Sequence, residues 1–263
     1  MSDAPPNPAT PAIEMRGVAV SSMKDPGVTV AEEVNWSVAP GEFWVVAGPQ
    51  RSGKSDFLML AGGLMAPASG RYWLFGGEMP IFEDARLPER LRLGFVFDGG
   101  QLFNHMTIAE NVALPLRYHH NLTSAEAEPQ VRAMLELTEL APLADITPGS
   151  VARNWQKRAG LARALALKPD VLLLDNPLGG LDARHTLWWL NFLGQLSRGH
   201  SLTEGRPTTL VVTTDDLRPW KSSSRRFALL KDKRFAALGA WPDLERATDP
   251  AVRELLAHEP AGD

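Results

Sequence analysis

Apolar positions in this chain gather in short unbroken runs, set apart by glycine, proline and charge. Residues 43–47, 93–97, 171–174 and 209–213 all read this way. Four or five apolar residues without alternation predict a strand buried on both faces, the environment of a parallel sheet. Ahead of them, residues 12–47 read as β-rich, and residues 71–75 predict a strand that turns at Gly76-Gly77. A helix is expected from Lys54 to about Leu64. From 106 to 167 the spacing becomes helical, and Thr123-Ser124-Ala125-Glu126 supplies a capping-box start. Strands alternating with helices predict a mainly parallel α/β sheet carrying a helical lobe at about 100–165.

Length and composition narrow the picture. The 263 residues fit one large domain, placed at 12–258, with a tail at 259–263. Residues 1–12 are proline-rich without the apolar stretch of a signal peptide, and read as a disordered leader. A formal charge of −4 and a pI near 5.9 argue against a nucleic-acid partner. With no cysteine there is no disulfide framework, thiol nucleophile or cysteine metal site, which suits a reducing cytoplasm. No apolar run reaches 18 residues, so a membrane connection is expected to come through a partner.

The candidate chemistry follows the first buried run. Gly48-Pro49-Gln50-Arg51-Ser52-Gly53-Lys54-Ser55 is a G-x-x-x-x-G-K-S loop between an expected strand and an expected helix. Such a loop turns its backbone N–H groups inward around a phosphate, where glycine leaves room that a Cβ would fill. Lys54 would reach the β- and γ-phosphates and Ser55 would offer its hydroxyl to Mg²⁺. The helix from Lys54 through Asp56 adds its positive dipole end. A metal also needs a carboxylate, and Asp175 stands at the end of the run 171–174.

Residues 161–170, the strand to Asp175, Asn176-Pro177 and Gly180-Leu181-Asp182 resemble the run from signature helix to D-loop in the ATP-binding subunits of ABC transporters. The resemblance covers roughly residues 12–258. It implies a P-loop NTPase fold of ABC type, with a mainly parallel core, an N-terminal antiparallel β region and an inserted helical lobe. It also implies ATP and Mg²⁺ as cofactors. Residues 96–103, then 106–117 (Met106-Thr107-Ile108-Ala109-Glu110-Asn111 onward), are similar to ATPases serving MCE-domain lipid transporters, the Mla type, as is the stretch 248–256.

Several positions depart from the family pattern. The family Gln that meets Mg²⁺ and the attacking water is Asp98 here, a residue still able to ligate the metal. Val151, Ala152, Arg153, Asn154 and Trp155 stand where the family carries its glycine-containing signature, with Arg153 a candidate cation in place of the lost N–H donors. The catalytic Glu is replaced by Asn176, an amide with no usable base near neutral pH. Thr214 occupies the switch-His position, and neither His200 nor His258 fits that motif. Asp56 puts an anion where the family has a hydroxyl near the α-phosphate, and Met23 is the one apolar candidate to cover adenine. Losing a positioned general base typically costs about 10²–10⁴ in rate.

The expected protein therefore binds ATP and hydrolyses it weakly or not at all. In this family each site combines one subunit's P-loop with the other's signature. A heterodimer with an active sister is favoured, a homodimer being the alternative, and Asp182 belongs to the same face. The expected complex includes a membrane permease gripped by the helical lobe and, for the Mla type, an MCE-domain protein, with this subunit peripheral on the inner face. Two rival readings stand: an active ATPase using Asp98, Asp215 or Asp216 as base, and a scaffold indifferent to nucleotide.

Other conspicuous residues have plain expectations. Trp188-Trp189 are expected to pack on the sheet, and His119-His120 to be a solvated helix end with no third metal ligand. Lys221 with Arg225-Arg226 reads as a solvated loop, and Asp215-Asp216 as a solvated strand end. Trp155 either fills space against a sister subunit or anchors its own helix.

Overall fold

A computed structural model describes residues 10–79, 86–221 and 226–257. Most of the expected leader, the 259–263 tail, His258 and Arg225 lie outside the described residues. The strands are β1 (Ile13–Ser21), β2 (Thr29–Val38), β3 (Phe43–Ala47), β4 (Ser69–Leu74), β5 (Gly77–Glu78), β6 (Leu93–Val96), β7 (Val171–Leu174), β8 (Thr209–Thr214), β9 (Arg226–Lys231) and β10 (Arg234–Gly239). They form one sheet in the order β5-β4-β1-β2-β10-β9-β3-β8-β7-β6.

Strands β9, β3, β8, β7 and β6 run parallel, whereas β5, β4, β1 and β2 pair antiparallel. The two halves meet through the β9–β10 hairpin, and β10 joins β2 in parallel at Arg234 and Glu32. Every residue of β3, β7 and β8 is buried, as continuous apolar runs require. Alternate β3 side chains serve two cores: Phe43, Val45 and Ala47 face one, Trp44 and Val46 the other.

The helices are α1 (Lys54–Ala61), α2 (Leu87–Leu91), α3 (Ile108–His119), α4 (Ser124–Leu137), α5 (Arg153–Leu165), α6 (Ala183–Arg198), α7 (Trp241–Arg246) and α8 (Pro250–Leu256). α1 packs into the core shared with β1 and β2, while α3 to α6 cover the opposite face. Both lobe helices start on capping boxes: Thr107 accepts the Glu110 N–H, and Thr123 that of Glu126. No helix among the described residues is long and apolar enough to cross a membrane.

Three expectations change. α1 ends at Ala61, where Gly62 and Gly63 follow, short of Leu64. Arg226 opens β9 and pairs with Glu42 at 2.6 Å, so it belongs to the sheet and not to a solvated loop. Trp189 is fully buried, whereas Trp188 is half-buried and stacks on Phe192 with centroids 5.0 Å apart.

Candidate nucleotide-binding site

Register brings the candidate residues to one edge of the sheet. Ala47 pairs with Thr214, Leu174 with Val212 and Val96 with Leu174, so the strand ends that release the P-loop, Asp175, Asp98 and Thr214 are neighbours. The Asp175 N–H donates to the Val96 carbonyl at 2.8 Å, and the Gly48 N–H to that of Thr214 at 3.2 Å.

The loop from Gly48 to Gly53 turns tightly between β3 and α1. Arg51 and Gly53 have positive φ, 62° and 89°, and Gly53 closes against the Val30 side chain, leaving no room for a Cβ. The Ser52 hydroxyl is buried without a partner, a group ready for a ligand oxygen. Gln50 and Ser55 are exposed. Lys54 Nζ donates to the carbonyls of Gly48 and Pro49, each at 2.7 Å. Burial lowers the Lys54 pKa, and Asp215 and Asp175 act against that shift. An anion entering this loop therefore meets a cation whose present partners are neutral carbonyls. The donor set and the glycine geometry fit a nucleotide phosphate.

Asp175 accepts the Thr213 hydroxyl at 2.7 Å, and that same hydroxyl accepts the Asn176 N–H at 3.0 Å. The pairing engages one carboxylate oxygen. No cluster of three or more carboxylate or imidazole ligands occurs among the described residues, so a metal here would need phosphate oxygens and the Ser55 hydroxyl beside Asp175. Asp215, expected at a solvated strand end, is half-buried and acts electrostatically on Lys54. Asp216 is taken up by Arg218, whose Nε and Nη2 lie 2.8 and 2.7 Å from its oxygens. Thr214 bonds locally, accepting the Asp216 N–H at 3.1 Å.

Asn176 holds a left-handed conformation, φ 45°, which asparagine tolerates better than most residues. Its amide lies against Gly179, where an added Cβ would collide with it. Its carbonyl accepts from Lys157 Nζ at 2.8 Å. The same ammonium donates to the Gly179 carbonyl at 2.8 Å and lies 3.0 Å from Asp98 Oδ1. Arg153 approaches the other Asp98 oxygen at 3.2 Å. Asp98, expected as a metal ligand, is thus placed between two cations of α5.

The signature positions form the entry to α5. Val151 is buried, and Ala152 occupies the N-cap without a side-chain hydrogen bond. Gln156 ties the turn by donating to Pro148 and Val151 carbonyls at 2.9 and 2.7 Å. The Asn154 amide meets His185 Nε2, while His185 Nδ1 faces Arg158 Nη2 at 3.0 Å. Arg158 is buried between Trp155 and Trp188, 4.6 and 3.8 Å from their ring centroids, and pairs with Glu139 at 2.6 Å. Trp155 is half-buried and packs on Arg158 and on the His185 ring. Asp182 caps α6 by accepting the His185 N–H at 2.9 Å, and that bond holds its carboxyl below the usual range.

Sequence reasoning passed over Lys157, Thr213 and His185. Lys157 and Arg158 are adjacent cations ahead of a largely apolar stretch interrupted by Arg163, but nothing in that spacing points to their partners.

The ABC transporter family profile matches residues 31–179. The intermembrane phospholipid transport system ATP-binding protein MlaF of Escherichia coli K12 is 30% identical over 228 residues, 86% of this chain and 82% of that protein. The lipoprotein-releasing system ATP-binding protein LolD 1 of Chlorobium chlorochromatii is 33% identical over 200 residues, 75% of this chain and 79% of that one. Among solved structures, the dimeric post-hydrolysis state of the ATP-binding cassette MJ0796 with ADP and Pi superposes with a TM-score of 0.75 at 27% identity, covering 87% of this chain and all of that one.

Proposed function

The chain belongs to the ABC transporter family as one of its ATP-binding subunits, and on that premise we propose that it holds Mg·ATP while hydrolysing it slowly or not at all. Gly48, Gln50, Arg51, Ser52, Gly53 and Lys54 would surround the phosphates. Ser55 and Asp175 would hold Mg²⁺, which neutralises charge building on the β- and γ-oxygens. The observation that carries slow hydrolysis is Asn176: a side-chain amide stands at the position of the base and packs on Gly179, while the residue's backbone carbonyl is held by Lys157. Asp98 and Asp216 are already engaged by cations. Asp215, beside Lys54, is the one substitute that keeps an active-enzyme reading open.

The likeness to MlaF supports lipid as the cargo and an MCE-domain protein in the complex, and LolD 1 shows how near another class of cargo lies. A permease would enter the groove of about 570 Å³ lined by Phe97, Phe103, Leu114, Tyr118 and Arg90 between α3 and β6. Through that partner the subunit would sit at the inner face of a membrane. Hydrolysis in the complex would come from a sister subunit with complete motifs.

The deciding experiment measures Mg·ATP binding and turnover of the purified chain beside Lys54→Ala and Asn176→Glu. Binding that Lys54→Ala abolishes, without turnover, supports the proposal. Turnover at or above about 1 s⁻¹ that Lys54→Ala removes overturns the slow-hydrolysis reading, and its loss in Asp215→Asn identifies the substitute base. Absence of binding leaves the nucleotide-independent scaffold.

A further inference from the structure

Lys157 is buried at this edge of the sheet, with 2% of its side chain exposed. Its ammonium donates to the Asn176 and Gly179 carbonyls at 2.8 Å each and lies 3.0 Å from Asp98 Oδ1 as an ion pair. Those oxygens come from two different segments, the exit of β6 and the turn after β7, while Lys157 itself rides on α5. The packing around the junction is equally tight. A Cβ on Gly100 would collide with the Gln156 carbonyl, and one on Gly160 would lie 2.7 Å from Gly100 Cα. The loop after β6 thus lies directly on the α5 backbone.

We infer that Lys157 is a positioning residue that pins the 176–179 turn and the β6 exit to α5, and that Asp98 is its obligatory counter-ion. The inference rests on the nucleotide-binding reading above and names how that site is held. An ammonium out of water is tolerated only when its donors are matched and its charge is compensated. Two carbonyls match donors, and a carboxylate compensates charge. The family's neutral Gln at position 98 would leave Lys157 without that compensation. Arg153 could not replace the carboxylate, being itself a cation. The Asp at 98 and the Lys at 157 therefore form one unit, in which removing the carboxylate leaves the buried ammonium without its ion-pair partner, whereas Asp98, 39% exposed and met by Arg153, tolerates the loss of Lys157. Arg153 is exposed and touches Asp98 from outside, so it adds to the cluster without entering the pin.

One consequence is directional. With the pin intact, the turn carrying Asn176 and the helix carrying the signature positions respond to nucleotide as a single body. Without it, they respond separately.

The test is a double-mutant cycle on the full chain with Asp98→Asn, Lys157→Met and the double variant. The readouts are affinity for a slowly hydrolysed Mg·ATP analogue and amide exchange of segments 98–101, 153–158 and 176–181. Asp98→Asn alone should weaken binding about tenfold and speed exchange at 176–181, and Lys157→Met should also speed it. Adding Lys157→Met to Asp98→Asn should restore binding to within about threefold of the wild type, because a neutral thioether needs no counter-ion. Instability of Asp98→Asn cured by the second change supports the unit equally. Additive effects of the two changes, or an Asp98→Asn protein indistinguishable from wild type, overturn the inference. Failure of the wild type to bind the analogue overturns the nucleotide reading instead, and exchange of the nucleotide-free proteins still decides the pin.

Discussion

Asp56 accepts the backbone N–H of Met23 at 2.9 Å, which ties the first turn of α1 to the loop between β1 and β2. The carboxylate thereby holds Met23, 56% exposed, against the first turn of α1. It also sets a negative charge one residue beyond Ser55. Asp56→Asn keeps an acceptor for Met23 and removes the charge. At a few ångströms beyond hydrogen-bond range in a wet site, one unit charge is worth about 0.5–1 kcal/mol. Binding of Mg·ATP should therefore tighten about two- to fivefold, measured by calorimetry, and Asp56→Ala should give back that gain by freeing the loop.

Lys54 is the cation that waits on neutral carbonyls. In the wild type, Mg·ATP at one hundred times its Kd should stabilise the fold by about 2.7 kcal/mol. Lys54→Ala should abolish that thermal shift. The nucleotide-free variant should be no less stable than the wild type, since the substitution removes a desolvated ammonium whose burial lowers its own pKa. A variant that keeps the shift would mean that the loop does not grip phosphate.

Acid should loosen the helical lobe at its caps. Backbone donation from Thr107 lowers the Glu110 pKa, and the Thr123 hydroxyl lowers that of Glu126. A carboxyl whose folded value is depressed contributes stability above its unfolded value, and that contribution disappears as pH falls through the folded one. Stability should thus decline below about pH 4.3, the ordinary glutamate value, and Glu110→Gln with Glu126→Gln should flatten that decline in a urea-melt series. Thr123→Ala should cost about 1 kcal/mol at neutral pH.

Arg158 joins α5 to α6 through two indole faces and the His185 ring. Arg158→Ala should cost about 3 kcal/mol in chemical denaturation, from a buried charged hydrogen bond and a desolvated cation–π contact together. The Trp155 emission should shift to the red as its ring is uncovered.

The parallel strands and the P-loop were legible because burial on both faces demands continuous apolar runs, and few residue patterns but G-x-x-x-x-G-K-S serve a phosphate. β9 was overlooked beside Arg226, although Phe227-Ala228-Leu229-Leu230 carries the same signal as β7. The neighbouring charges drew attention away from it. Lys157 was invisible for a different reason. Its partners, Asp98 and the turn at 176–179, are distant in sequence, and no spacing rule brings them together; only the sheet register does. Asn176 reads from sequence as a lost base, while its left-handed backbone and its seat on Gly179 show that it also has a conformational role.

The sheet order sets a timetable for making this protein. β2 and β3 are consecutive in the chain, yet β10 and β9 stand between them. Until residues 226–239 have left the ribosome, the strand that launches the P-loop has an open flank, and the antiparallel half meets the parallel half only through the core around α1 and not through the sheet. The last hairpin is the keystone of the arch. A nascent chain halted at residue 221 would hold every phosphate-facing residue named above and still lack the piece that locks the two halves together. Its bare β3 flank would then be exposed to any other strand, which makes the β9–β10 hairpin the guard against aggregation during synthesis.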